Sequence, residues 1–312
     1  MTAFVVVNPR SGNGRTGREW RAIERQLAHA FPHMSVAFTQ KRGQASALVR
    51  HALAEGHHEI IAVGGDGTVN EAVNGFFDAR GPVSPDAVFG FVMSGTGGDF
   101  RKTFGIGEGA AQGIERLKRA SVKPIDIGRV SCLSDRGEPV VRYFANIASF
   151  GLSGRIVQSV NRARIAKLFG GSFAFAFHSA AGMLTHRNRT VRIMLDTGFD
   201  AEMTISTVAI ANGQYFGGGM RVAPNATPDD GAFDVVVIAP SKVSQALGDM
   251  KQIYTGAHVS NPAVRILRAK KIVAAPTAEN QGRAVHIEAD GESAGKLPAT
   301  FEILPRALNL RC

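Results

Sequence analysis

"IIAVGGDGTVNEAVNG", residues 60–75, decides how the first part of the chain is read. Its apolar run ends at Val63 and passes through Gly64 and Gly65 into Asp66, Gly67 and Thr68, after which a helix-like pattern opens at Val69. A glycine turn between a strand and a helix holds anions, because backbone N–H groups and the positive end of the helix dipole point at it. Asp66 stands in that turn with a charge that repels an anion.

The same strand, glycine loop and helix recur on either side. "FVVV" near the start leads into "NPRSGNGR" and then "GREWRAIERQLAHAF", where Trp20, Ile23, Leu27 and Phe31 repeat at helical spacing. "VAF" at 36–38 precedes "GQASALVRHALAEG", with a stripe of Ala45, Leu48, Val49, Ala52 and Leu53, and "VFGFV" leads into "SGTGGDF" at 94–100. Repeated strand–helix units predict an α/β N-terminal domain, residues 1–128, with a parallel doubly wound sheet and ligands beyond the carboxyl ends of its strands. Each glycine loop alone reads equally well as a tight turn; three at one sheet edge point to a nucleotide site. None is a P-loop, since the lysine and hydroxyl of GxxxxGK[ST] are missing.

After Ile125 the rhythm changes. "PVVRYFANIASFG", "TVRIMLD", "MTISTVAIAN", "AFDVVVIA" and "AVHIEAD" alternate apolar and polar residues between Gly, Pro, Asn and Asp, which predicts a mainly antiparallel β domain over 129–303. Helical insertions are expected over about 153–187 and across "SKVSQALGDMKQIYTG".

Composition narrows the class. The 312 residues are 44% hydrophobic and 20% charged, as in a globular protein of two domains, and a net charge of +10 favours anionic partners. Cys132 and Cys312 stand far apart and read as free thiols. The start "AFVVV" is too short for a secretory signal and reads as a first strand. "LFGGSFAFAFHSAAGML", residues 168–184, falls at the short edge of a membrane span and reads as a buried or interfacial helix; His178 within it shows no metal-ligand spacing.

Taken together, "VVVNPRSGNGR", "VGGDGTVNEAVNG", "GTGGDF", "PIDIG", "ANGQYFGGGMRVAPNATPDDGAFDVVVI" and "ADGE" stand in the order and approximate spacing of the diacylglycerol kinase catalytic-domain family, and the chain resembles that family over almost its whole length. "GGDGT" is shared with NAD kinases and phosphofructokinases; "GGGMRVAPNATPDDG" and "DGE" point to lipid kinases. The resemblance implies an ATP cleft between the α/β domain and a β-sandwich, with the chain end, about 304–312, returning to the first domain. It places Asn8, Thr39, Gly64, Gly65, Asp66, Gly67, Thr68, Val69, Asn70, Gly95 and Thr96 at the nucleotide. Small residues there let backbone N–H groups approach phosphate oxygens.

A carboxylate beside phosphates makes sense when Mg²⁺ lies between them. The resemblance adds Asp99 and Asp126 to Asp66 in an acidic, water-linked network, although each also reads as a cap or turn aspartate. Two departures stand in this region: Gly98 where the family usually has Asn, and Lys102 where an arginine is common. In "DDG" the resemblance implies a structural Mg²⁺ on Asp230 with the carbonyls of Thr227 and Ala232; a plain Asp-Gly turn is the alternative.

Transfer to an alcohol needs a proton acceptor. By resemblance Asp290 of "ADGE" is the general base and Glu292 supports the metal or the base, against the alternative of a simple hairpin turn. Phe169, Phe173 and Phe177, flanked by Lys167, His186, Arg187 and Arg189, would line a lipid entrance or pack internally. The expectation is an ATP- and Mg²⁺-dependent cytoplasmic lipid kinase docking peripherally on an anionic membrane, with no nucleic acid partner. The rivals are a kinase for a soluble acceptor such as NAD and a catalytically inactive regulatory protein on the same fold.

Overall fold

The computed structural model describes residues 2–94, 98–154, 188–240, 251–280 and 282–312. Gly95, Thr96, the Phe169–Phe173–Phe177 stripe with Lys167, His186 and Arg187 of its basic flanks, His178, and most of both expected helical insertions lie outside those residues; Arg189, the last of those basic residues, is described and begins a strand. The chain divides into two units, Met1–Asp126 with Pro305–Cys312, and Ile127–Leu304.

In the first unit β1 (Ala3–Val7), α1 (Arg15–Ala30), β2 (Met34–Phe38), α2 (Gln44–Ala54), β3 (Glu59–Gly64) and α3 (Asp66–Gly75) follow in strict alternation. A short hairpin of β4 (Phe77–Asp78) and β5 (Gly81–Pro82) precedes β6 (Val88–Met93), α4 (Asp99–Thr103) and α5 (Ala110–Arg119). β2, β1, β3 and β6 pair in that order, all parallel. Strand order reverses between β1 and β3, which puts the topological switch point at the loops following Val7 and Gly64.

The strands read as unbroken apolar runs because helices cover both faces. Val5, Val7, Ile61, Val63 and Val92 share one core with Trp20, Ile23 and Leu27 of α1 and Ile114 and Leu117 of α5. Val6, Ile60 and Ala62 point the other way and are equally buried. There α2 packs on β1 and α3 on β3, and the two helices pack on each other. Gly75 permits that approach, since a Cβ on it would come 2.7 Å from the Val49 Cβ.

The second unit holds most of β7 (Val122–Leu133), then β8 (Pro139–Phe144), β9 (Ile147–Gly151), β10 (Arg189–Leu195), β11 (Asp200–Ile205), β12 (Thr207–Ala211), β13 (Phe233–Ile238), β14 (Val264–Ala269), β15 (Lys271–Pro276), β16 (His286–Ala289) and the first part of β17 (Glu292–Arg311). One antiparallel array runs β14-β13-β12-β9-β16-β17, and a second runs β11-β10-β15-β17-β7-β8, with β17 common to both. Phe150, Ile210 and Val235 of the first array and Val191, Ile193, Ile272 and Phe301 of the second meet in one core, the arrangement of a β-sandwich. The end of β17 belongs to the first unit, where Asn309 and Leu310 pair parallel with Val88 and Phe89 of β6. Arg311 forks onto Glu59 there, both contacts at 2.8 Å.

Two runs that read as single strands are broken. "PVVRYFANIASFG" splits at Ala145–Asn146 between β8 and β9, and "MTISTVAIAN" splits at Ser206 between β11 and β12. Hydropathy alternation continues through both breaks, so only long-range hydrogen bonding marks them. Cys132 and Cys312 are buried free thiols. No helix among the described residues is long and apolar enough to cross a membrane.

Candidate functional site

In the first unit, three loops at the carboxyl ends of β1, β3 and β6 are stitched together around Gly64. A Cβ on Gly64 would sit 2.4 Å from Thr68 Oγ1, so only glycine lets the first turn of α3 fold back on the strand end. Thr68 Oγ1 accepts the Asn8 Nδ2 hydrogen at 3.1 Å, and Asn8 N–H donates to Val63 O at 2.9 Å, which ties the β1 loop to the β3 loop. Ser94 N–H donates to Gly64 O at 2.8 Å, and Ser94 O accepts from Arg15 Nη2 at 3.0 Å, which brings in the β6 loop. Thr39, buried at the end of β2, donates its N–H to Val7 O at 2.8 Å. Val69 and Asn70 are buried in α3.

Gly65 precedes α3 in an extended conformation and no side chain caps that helix. Asp66 occupies its first turn, where the dipole favours an acid, and Asp66 Oδ2 accepts the Gly98 N–H at 2.7 Å. Gly98 therefore meets Asp66 through its main chain. Its φ of 127° and a hypothetical Cβ only 2.5 Å from Arg101 Nε explain why an asparagine is absent there.

The other two acids of the expected network have protein partners of their own. Asp99 lies 3.5 Å from Lys102 Nζ, and the fully buried Asp126 accepts the Arg306 N–H at 2.8 Å, which fastens the returning chain end. Among the described residues, no three His, Cys, Asp or Glu side chains gather closely enough to hold a metal directly. The water-linked network that the resemblance implies for Asp66, Asp99 and Asp126 does not require such convergence.

In the second unit, Asp290 and Gly291 form the two-residue turn between β16 and β17, with Ala289 paired to Glu292. Positive φ at both residues, 49° and 80°, is the geometry that favours Asp-Gly in a tight hairpin. The Asp290 carboxylate does more than close the turn. Its Oδ1 accepts the N–H groups of Asn146 and Ile147 at 3.0 Å, and its Oδ2 accepts that of Ala145 at 2.9 Å. This clamp lies at the break between β8 and β9. Asn212 reinforces it by donating Nδ2 to Ala145 O at 2.8 Å, and Asn146 Nδ2 reaches Tyr215 O at 2.7 Å. Two residues before Asp290, the buried Glu288 takes the Ser149 hydroxyl on one oxygen and the Gly291 N–H on the other. Glu292 is half-buried beside them.

The loop before β13 carries the third expected cluster. Asp230 Oδ2 accepts the Thr227 hydroxyl at 2.7 Å and Arg268 Nη2 at 2.6 Å, while Oδ1 accepts the Ala232 N–H at 3.1 Å. Burial alone pushes the Asp230 carboxyl up, but the hydrogen bonds from Thr227 and Arg268 outweigh it and hold the group below the usual aspartate value. Burial raises the neighbouring Asp234 instead.

Comparison with known proteins rests on both units. Residues 2–130 match the diacylglycerol kinase catalytic domain, and residues 146–312, more than half of the chain, match the YegS C-terminal NAD kinase beta sandwich-like domain. This chain belongs to the diacylglycerol kinase family.

Among relatives in that family, the diacylglycerol kinase of Staphylococcus carnosus (strain TM300) is 27% identical over 301 residues, covering 96% of this chain and 91% of its own. That of Staphylococcus aureus (strain bovine RF122 / ET3-1) is 28% identical over 309 residues, covering 99% and 91%. A solved structure from Bacillus anthracis str. Sterne, itself described only as a candidate diacylglycerol kinase, superposes with a TM-score of 0.76 at 25% identity, covering 99% of this chain and 96% of that one. The yeast NADH kinase structure, at 12% identity and a TM-score of 0.51 over 100% of this chain and 82% of that one, shares the fold alone.

The diacylglycerol kinase family uses ATP and a divalent cation in general terms, and the first unit suits them: an α3 amino end without a side-chain cap would take phosphate, and Asp66 in its first turn would help hold a cation that neutralises it. The Asp230 loop suits a divalent cation poorly, because a guanidinium already sits on the carboxylate oxygen.

Glu71, Asn146, Asn212 and Glu288 escaped the reading of the sequence. Glu71 accepts the N–H groups of Gly43 at 2.7 Å and Ala45 at 3.1 Å and so fixes the loop after Thr39. Its place within "GGDGTVNE" was the available signal. Asn146 and Asn212 both follow an alanine at a strand boundary, a pattern too common to single out.

Proposed function

We propose that this chain is a lipid kinase that moves the γ-phosphoryl group of ATP to a hydroxyl of a membrane lipid. The observation that carries the proposal is the stitched set of β1, β3 and β6 loops at the switch point, with the amino end of α3 presented by Gly65, Asp66 and Gly67. That assembly suits a polyphosphate, and family membership supports a kinase reaction on it.

Asn8, Thr39, Gly64, Thr68, Val69 and Asn70 build the phosphate loops, and Gly95 and Thr96 extend them in sequence. Mg²⁺ bound with ATP would neutralise phosphate charge beside Asp66, with Asp99 and Asp126 in the acidic surroundings. The acceptor hydroxyl gives its proton to Asp290 as its oxygen bonds to the γ-phosphorus and the bond to the ADP oxygen breaks. Three main-chain N–H groups orient that carboxylate. Glu292 lies next to it on β17 and supports the base or the metal.

Diacylglycerol, ceramide or a sphingoid base, and phosphatidylglycerol all offer a hydroxyl close to apolar chains. The basic excess supports peripheral docking of a cytoplasmic protein on an anionic membrane. Incubation with labelled ATP and Mg²⁺ against a panel of these lipids, NAD, and no acceptor tests the proposal. A labelled lipid is the expected product. Labelled NAD alone would assign the soluble-acceptor reading, and no transfer to any acceptor would favour a regulatory protein.

A further inference from the structure

We infer that Arg268 supplies, from within the chain, the positive charge that closes the Asp230 loop, so that this loop is a salt-bridged clasp and not a divalent-cation site. Three features of the structure lead there. Register pairs Arg268 of β14 directly with Asp234 of β13, the strand that the loop feeds. From that position the guanidinium reaches Asp230 Oδ2 at 2.6 Å and Asp234 Oδ1 at 3.8 Å, so that one cation lies between the acid of the loop and the acid of the strand. The remaining contacts of Asp230 are the Thr227 hydroxyl and the Ala232 N–H, both donors.

A divalent cation needs oxygen lone pairs converging on it. Here the Asp230 oxygens are turned toward an arginine, a hydroxyl and an amide, which are hydrogen-bond donors. A metal on Oδ2 would have to displace a charge-assisted hydrogen bond and would then face a guanidinium that stays positive at every physiological pH. The same local chemistry, an acid in an Asp-Gly turn needing a positive neighbour, is thus met by a residue 38 positions further along the chain. Because the arginine is covalently part of β14, the clasp forms with the fold at any concentration of free cation. This conclusion does not depend on the chain being a lipid kinase.

Thermal unfolding without nucleotide tests it, on wild type, Asp230→Asn and Arg268→Gln, in EDTA and in Mg²⁺ at matched ionic strength. A cation held only by the native loop raises Tm by mass action. Wild type and Asp230→Asn are expected to respond identically to Mg²⁺, and Arg268→Gln to melt about 2 to 4 °C lower than wild type. Mn²⁺ binding followed by electron paramagnetic resonance is expected to show no site in wild type that Asp230→Asn removes. The inference fails if Mg²⁺ stabilises wild type and Asp230→Asn abolishes that response, if an Asp230-dependent Mn²⁺ site is found, or if Arg268→Gln melts with wild type. Should Arg268→Gln not fold, Arg268→Lys retains the charge without the fork and is expected to melt between wild type and Asp230→Asn; melting below Asp230→Asn would count against the clasp.

Discussion

Replacing Asp290 by asparagine removes a proton acceptor, but the structure shows that it also damages a clamp. An asparagine tolerates the positive φ of 49°, so the turn itself survives. With the amide oxygen placed toward Asn146 and Ile147, the amide NH₂ faces the Ala145 N–H, and a donor meets a donor. The lost bond to a charged acceptor is worth about 1.5 to 3 kcal/mol, and the two retained bonds weaken once the charge is gone, for a total of about 3 kcal/mol. In a unit of this size that lowers Tm by about 6 to 12 °C. Single-turnover transfer from labelled ATP, measured well below the transition with saturating lipid, is expected to fall about 10² to 10⁴-fold. Glu292→Gln leaves the three main-chain bonds in place, so it is expected to melt as wild type does while turnover falls. A melting temperature of Asp290→Asn within about 1 °C of wild type would refute the clamp. Transfer at the wild-type rate would refute the base.

Four other outcomes are expected. Gly64→Ala drives a methyl to within 2.4 Å of Thr68 Oγ1, so it should cost about 1 to 3 kcal/mol and weaken ADP binding about tenfold, read by calorimetry on the folded variant. Asp66→Asn keeps an oxygen for the Gly98 N–H and should melt close to wild type, yet lose about 10²-fold or more in turnover with a shifted Mg²⁺ dependence. Glu302 is held below its ordinary value of 4.5, mainly by the Arg129 hydrogen bond and further by Lys271; its contribution is present above that pH and lost as pH falls through the lowered value. Glu302→Gln should therefore flatten the acid side of the stability profile, by less than about 1 kcal/mol for a cluster that is only partly buried, and equal acid sensitivity in both proteins would disprove that. Cosedimentation with vesicles should strengthen with anionic lipid and weaken with salt, and equal binding to neutral and anionic vesicles at every salt concentration would remove the electrostatic part of membrane docking.

Local pattern covered most of the first unit, though not the β4–β5 hairpin, α5 or the returning chain end. In α1 the 3.6-residue period places Trp20, Ile23 and Leu27 on one face, and glycine loops after apolar runs mark where strands stop, so helix, strand and switch-point loop can all be read within a short window. Asp66 and the Asp290–Gly291 turn were equally visible, because turn chemistry is set by adjacent residues. What each acid touches was not visible. The donors that hold Asp290 lie 143 to 145 positions away, the Arg306 N–H on Asp126 lies 180 away, and the Arg268 contact with Asp230 depends on the β13–β14 register. Hydropathy alternation carries no information on which strand pairs with which, so it ran through the break at Ala145–Asn146, and the metal that the family resemblance implied at Asp230 falls where Arg268 reaches the carboxylate. The sequence by itself marked most of the strands, helices and turns, since those preferences are set locally, although it ran two pairs of strands together; only tertiary structure decided the partners of the buried acids, because a charge taken out of water must be matched by whatever group the fold brings within hydrogen-bond reach.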